Sequence, residues 1–336
     1  MSQPINIALI GATGSVGEAL VELLEERDFP VRDLHLLAST ESAGQSLSFR
    51  GRQVRVRALD GFDFAQVQLA FFAAGREVTR AAHERALAAG CSLIDMSAAL
   101  PLHQAPCVLP ELGLTGVPVL KAPFVVGAPT PSAVACALVL GALRPLILPR
   151  QVQVTAMLSM STLGRGGVQE LARQTAELLN ARPLEPRGVD RQVAFNLLAQ
   201  VGEVDEHGHA ELEKRLAGEL QQLLGIEGLS VSATCALAPV FFGDSLALSV
   251  LCDSAVDVAG VRQLLETAPG IELVEAGDYP TVVGDAVGQD QVYVGRVRCA
   301  VSDPRQLNLW IASDNVRKGA ALNAVQIAEL LIKHYL

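Results

Sequence analysis

Three glycines spaced by three, Gly11, Gly14 and Gly17 in Gly-Ala-Thr-Gly-Ser-Val-Gly, have the clearest chemical use in this sequence. At a strand-to-helix turn, glycines let the backbone approach a pyrophosphate, and the N–H groups that open the helix face its charge. Thr13, Ser15 and Val16 belong to the same turn. A Rossmann fold places its ribose-reading group roughly 20 residues further on, where Ser39, Glu41 and Ser42 stand. Glu41 either accepts hydrogen bonds from the ribose hydroxyls of NAD and repels the 2′-phosphate of NADP, or is a solvated loop charge. Gly75 follows another strand end and is expected near the nicotinamide half of a cofactor. Asn315, ahead of the last helix, completes the cofactor-binding candidates. His207 and His209 beside Asp205 and Glu206 suggest a metal site only faintly. HxH without further placed ligands reads more simply as a polar loop before a helix.

These residues need elements to hold them. Residues 5–10 are a short β-branched apolar run, and Leu20, Leu23 and Leu24 give the next segment a helical stripe. Strands are expected at 35–38, 67–72 and 92–94, with a helix over 78–89. That alternation implies a mostly parallel sheet with helices on both faces. Beyond about residue 127 extended segments dominate. Strands are expected at 151–159, 229–240, 245–252, 292–301 and 306–313, and helices at 166–181 and 211–224. A last helix from about 318 to 334 is expected to dock back on the first domain. The fold class is therefore α/β, a Rossmann-type domain (1–127 plus 315–336) with an α+β domain built on a large mixed sheet (128–314).

Half of the 336 residues are hydrophobic and 18% are charged, enough apolar material for large cores. A net charge of −10 repels phosphate backbones and anionic lipid, so neither nucleic acid nor membrane is expected as a partner. The longest apolar run, 133–148, is broken by Arg144 and prolines and falls short of a bilayer span. The N-terminus has no basic n-region, so no signal peptide is expected. Six widely spaced cysteines without CxxC read as buried thiols of a reducing cytoplasm.

Four blocks, IALIGATGSVGEALVELLEERDFPV, LLASTESAG, VSATCALAPVFFGDS and LNLWIASDNVRKGAALNAVQIAELLI, resemble the aspartate-semialdehyde dehydrogenase family across the whole chain. Within it the chain most resembles the catalytically degenerate Usg branch. The resemblance implies a homodimer joined through the second domain. It also implies a reaction reducing aspartyl phosphate with NADPH, run by a cysteine nucleophile, a histidine acid-base and two substrate arginines. The family's Asn-Pro-Asn-Cys matches Ala128-Pro129-Thr130-Pro131, so Pro131 stands in the cysteine's place, and it lacks an N–H as well. Thr130 and Pro131 read instead as the cap and first residue of a helix. In the ungapped Ala233–Ser245 stretch, Leu237 replaces the carboxylate-binding arginine and Asp244 replaces the histidine. An aspartate at its usual pKa is a poor general acid near neutrality. Pro101 replaces the phosphate arginine, and Glu41 replaces the arginine that reads NADP.

Ser132 and Cys136 are the remaining nucleophile candidates. Ser132 has no evident base, and Cys136 lies in an apolar helix. Lys214, Arg317 and Lys318 are either remnants of an anion site or surface charges. The expectation is a non-catalytic, dimeric protein whose further small-molecule or protein partner the sequence does not name. It would bind NAD weakly if at all, disfavour NADP and hold no metal. The alternative is an oxidoreductase acting with NAD(P) on an aldehyde or oxo group of a different substrate.

Overall fold

A computed structural model describes residues 3–114 and 120–335. The chain divides into two compact units. The first ends at Thr130 and resumes at Ala320, and the second runs Pro131–Gly319. The sequence reading put these boundaries at 127/128 and 314/315. The observed ones fall later because the second unit begins at the first residue of a helix and keeps the turn after residue 314.

The first unit opens with β1 (Ile5–Ile10), α1 (Ser15–Glu26) and β2 (Val31–Ala38). A hairpin, β3 (Ser46–Phe49) and β4 (Arg52–Ala58), follows. Then come β5 (Leu69–Phe72), α2 (Arg76–Ala88), β6 (Ser92–Asp95) and β7 (Val125–Gly127). The seven strands lie in the order β3-β4-β2-β1-β5-β6-β7, parallel apart from the hairpin. The expected strand at 35–38 is thus only the end of β2, and the hairpin went unpredicted. Its signal was present. Polar and apolar residues alternate on both sides of Arg50-Gly51, which take φ of 50° and 71°, the paired positive values of a type I′ turn.

The second unit holds α3 (Pro131–Leu143), β8 (Pro149–Leu158), α4 (Gly164–Leu179), α5 (Glu211–Leu224), β9 (Ser230–Leu237) and β10 (Asp244–Cys252). It continues with α6 (Val258–Thr267), β11 (Ile271–Leu273), β12 (Val292–Cys299) and β13 (Gln306–Ser313). Its sheet runs β11-β12-β13-β10-β8-β9, with β8–β9 and β11–β12 parallel and the other pairs antiparallel. The expected large mixed sheet is present. Helices α3, α5 and α6 pack on one face of it. α3 fits that role because it is apolar all round, with ten buried residues from Ser132 to Leu143. On the opposite face Gln153, Thr155, Ala247, Ser249, Asn308 and Trp310 remain partly or fully exposed.

The expected last helix is present: a π-helical stretch, Arg317–Leu322, runs directly into α7 (Asn323–His334). It belongs to the first unit. There Val325, Ile327, Ala328 and Leu331 share a core with Leu20 and Leu24 of α1. Arg27 grips Glu329 through two bonds of 2.7 Å. Across the sheet, Ala82 and Ala86 of α2 pack with Phe62, Phe64 and Phe72. No helix among the described residues is long and apolar enough to cross a membrane.

Candidate functional site

In the first unit, β2, β1 and β5 are neighbours, with Ile10 beside Leu37 and Phe72. Parallel pairing puts their C-terminal loops at one edge. Those loops carry Ser39–Ser42, Gly11–Gly17 and Gly75, so the structure brings all the first-unit cofactor candidates together where an open α/β sheet binds ligands. The three glycines have different duties. Gly11 has φ +87°, and a Cβ there would lie 2.7 Å from Ala73 O. A Cβ on Gly17 would lie 2.2 Å from Gly11 O and 2.8 Å from Ala12 Cα. Gly14 is extended at the head of α1, and its Cβ would meet only Gly11 O at 3.3 Å. The first glycine makes the tight turn, the last lets helix and strand close up, and the middle one leaves the backbone approachable. That division fits a dinucleotide pyrophosphate. Thr13, Ser15 and Val16 are half-buried along the turn. Glu41 is exposed in a turn where the N–H groups of Ser42 and Ala43 donate to Ser39 O at 3.2 and 3.0 Å.

After β6, the buried Asp95 carboxylate accepts from Ser97 N–H at 2.8 Å, Ser97 Oγ at 2.6 Å and Leu100 N–H at 3.0 Å. Ser97 Oγ also lies 2.9 Å from Thr79 Oγ1, and Arg76 Nε donates to Ser97 O at 3.3 Å. This loop leads to Pro101, and its shape comes from Asp95 without an arginine of its own. Sequence reasoning missed Arg76, which neighbours Gly75 at the start of α2 and so had a positional signal.

In the second unit, Asp244 opens β10 opposite Ser313 and is buried. Its Oδ1 accepts from Ser159 N–H at 2.9 Å and Ser159 Oγ at 3.2 Å. Burial, against those two bonds and with Asp314 nearby, pushes its carboxyl up to about 7. This corrects the expectation of an aspartate at its usual pKa. Desolvation outweighs two hydrogen bonds, which favours the neutral acid well above the usual carboxylate range. The rest of the cluster also escaped sequence reasoning, since serines give no spacing signal. Ser159 Oγ lies 2.9 Å from Ser161 Oγ, which lies 2.9 Å from Asn315 Nδ2. Asn315 Oδ1 accepts from Gly243 N–H at 2.9 Å. The Asn315 amide thus braces the second unit internally.

Leu237 ends β9, buried, and exchanges two backbone bonds of 3.0 and 2.8 Å with Leu198. Pro131 heads α3 so tightly that a Cβ on Gly319 would fall 2.5 Å from its Cβ. Ser132 is buried in the first turn of α3. Burial pushes the Cys136 and Cys235 thiols up to about 12, so both are held neutral. Asp205 accepts from the N–H groups of His207 and His209 and from Lys214 Nζ at 2.7 Å, which holds its carboxyl down at about 2. The histidine stretch is thus a capped loop, and Lys214 is committed to it. Arg317 Nε donates to Asp290 at 2.6 Å, and Lys318 is fully buried rather than a surface charge. Among the described residues no group of His, Cys, Asp and Glu could hold a metal ion.

Asp244→Asn is expected to stabilise the protein above pH 7 by about 2–4 kcal/mol, from a rise of roughly three pKa units at 1.36 kcal/mol each. The folded-state value lies above the ordinary 3.8. The aspartate's contribution is therefore fully present below about pH 4 and is lost as pH rises through about 7. Asparagine keeps an acceptor for Ser159 and never ionises. Denaturant unfolding from pH 4 to 8 checks this: the two proteins should diverge as pH rises, and a constant difference would contradict the burial argument.

A family model described as the NAD binding domain of semialdehyde dehydrogenase matches residues 6–116. Another, described as the dimerisation domain of semialdehyde dehydrogenase, matches residues 140–318. A USG-1 protein homolog of Azotobacter vinelandii is 60% identical over 333 residues, 99% of each chain. Aspartate-semialdehyde dehydrogenase 2 of Vibrio cholerae is 39% identical over 336 residues, all of both chains. The solved structure of a probable aspartate-semialdehyde dehydrogenase from Pseudomonas aeruginosa superposes with a TM-score of 0.95 at 59% identity, covering 99% of this chain and 100% of that one.

Proposed function

The chain belongs to the aspartate-semialdehyde dehydrogenase family, and we propose that it is a non-catalytic, dimeric, dinucleotide-fold member of it. The observation that carries this reading is the pair Leu237 and Asp244. Where the resemblance calls for an arginine and a histidine, the second unit has a buried leucine and a buried carboxyl. Leucine offers nothing to a substrate carboxylate, and an ionised aspartate repels one. Pro131 removes the nucleophile and Pro101 the phosphate arginine. The 60% identity to a USG-1 homolog, against 39% to aspartate-semialdehyde dehydrogenase 2 of Vibrio cholerae, accords with this. Turnover of aspartate semialdehyde with phosphate and NADP, in protein freed of the host's own dehydrogenase, is expected to be absent, and a normal enzymatic rate would overturn the reading.

Any dinucleotide bound at the glycine turn is NAD, weakly. Glu41 stands exposed beside the cradle and repels a 2′-phosphate. Glu41→Arg is expected to shift preference toward NADP, and calorimetry finding that the wild type binds NADP more tightly would refute the assignment.

The homodimer forms through the uncovered face of the second unit's sheet. Neutral residues line its middle, where Ala247 sits between Thr155 and Trp310 and leaves room for close approach of a second copy, and Arg296 and Arg298 border it at the β12 side. Ala247→Arg is expected to give monomers by sedimentation, and a wild type that is monomeric at micromolar concentration would sink the dimer.

A second reading has one observation in its favour. Asp244, with its carboxyl at about 7, has the pKa of a serviceable general acid-base. An oxidoreductase acting on another aldehyde or oxo substrate would use it, and Asp244→Asn would then abolish whatever turnover a metabolite screen uncovers.

A further inference from the structure

Strand β12 carries a bulge. Gly295 pairs with Trp310, but Arg298 pairs with Asn308, so one extra residue is inserted opposite the regular β13. Arg296 takes φ 52° there, a left-handed conformation unusual for a long side chain. Side chains alternate along a strand, so without the insertion Val297 would stand beside Asn308. The bulge replaces that valine with an arginine, which is what bulges do when they re-aim a side chain.

Arg296 and Arg298 meet Arg262 of α6 at a cavity of about 310 Å³, also lined by Glu275, Asp278 and Tyr279. Arg298 Nη1 donates to Arg296 O at 2.7 Å, and Arg262 Nη2 donates to Val274 O at 3.4 Å. Arg298 and Arg262 are thus anchored to backbone and have donors to spare. None of the three guanidiniums is ion-paired among the described residues, although two carboxylates line the same cavity. In a chain with 36 acidic and 26 basic residues, three arginines gathered without carboxylate partners run against the background.

We propose that this cavity binds a small multivalent oxyanion, a phosphate ester or a di- or tricarboxylate, through Arg262, Arg296 and Arg298. The planar guanidinium fork matches both kinds of oxyanion. Three arginines against two carboxylates leave the lining one positive charge, which suits a compact anion better than a nucleic-acid backbone. Tyr279, also in the lining, has a hydroxyl that can donate. The site lies in the second unit, at the β12 border of the uncovered sheet face, and does not depend on whether a dinucleotide binds.

The test is calorimetric titration of the full-length protein with inorganic phosphate and with citrate, at constant ionic strength against a chloride blank. Phosphate binding alone points to phosphate esters, and citrate binding to carboxylates. Saturable binding of either is expected, weakened at least about tenfold in Arg296→Gly/Arg298→Ala. Glycine accepts the positive φ, so the double variant should keep the bulge, and circular dichroism checks that it folds. Arg144→Ala, an exposed arginine after α3, should bind as the wild type does. Three results would overturn the proposal: no saturable heat with either anion, unchanged affinity in the double variant, or conversion of a wild-type dimer to monomers by the double variant. The last would mean that the arginines serve a second copy of the chain.

Discussion

Pro131→Cys is expected to give no measurable turnover of aspartate semialdehyde, and so is each of Leu237→Arg, Asp244→His and Pro101→Arg alone. A thiol at position 131 would head α3, where it needs a base to become thiolate. Asp244 is buried with Oδ1 committed to Ser159, so its position serves that bond and not a thiol at 131. Leu237 would leave the substrate carboxylate unpaired. Arginine at 237 would itself carry a charge into a buried strand end, at a cost in stability. Groups that act as a unit fail together, so partial repair gains little. The fourfold revertant should also fall below the ordinary range of about 1–10³ s⁻¹, since catalytic groups need supports that hold them within about 0.5 Å. Single-turnover and steady-state assays on the five proteins check this. A single revertant turning over in the ordinary range would show that the missing groups were not the obstacle.

The strand, glycine turn and helix that open the first unit were legible because their signals are local. Three glycines, a preceding β-branched run and a following leucine stripe fall within residues 5–24 and fix strand, turn and helix together. The returning helix α7 was legible from its apolar spacing. Its opening π-helical stretch, Arg317–Leu322, was not distinguishable from α-helix, since it keeps the same apolar residues and differs only in hydrogen bonding. The second unit's polar cluster was illegible for another reason. Ser159, Asp244 and Asn315 are far apart in sequence, and only the pairing of β8 with β10 and the turn after β13 bring them together. The same distance hid the state of Asp244. Its replacement of histidine could be read from the aligned block. Its raised pKa depends on burial that no local pattern reports. The hairpin at Arg50-Gly51 was a different failure, because alternation and turn residues were both in view.

Gly17→Ala is expected to destabilise the first unit by more than about 3 kcal/mol, as forced overpacking against backbone does. The methyl would lie 2.2 Å from Gly11 O and 2.8 Å from Ala12 Cα, and neither atom belongs to a side chain that can swing away. Relief would require α1 to move off β1. Gly11 cannot yield easily, because it is itself wedged against Ala73 and Ala74 with φ +87°. Gly14→Ala is the contrasting case. Its backbone at φ −80° suits alanine, and the added methyl meets one oxygen at 3.3 Å. It should cost less than about 1 kcal/mol while weakening NAD binding, because the methyl stands where the pyrophosphate must approach. The single tryptophan, Trp310, lies in the second unit and reports that unit's unfolding. Hydrogen exchange of the β1 and α1 amides is therefore the measurement that reads the first. Fast exchange there in Gly17→Ala, with near-normal protection in Gly14→Ala, is the expected result. Equal protection in the two variants would mean that the turn is looser than its glycines imply, and the dinucleotide assignment that rests on its shape would fall with it.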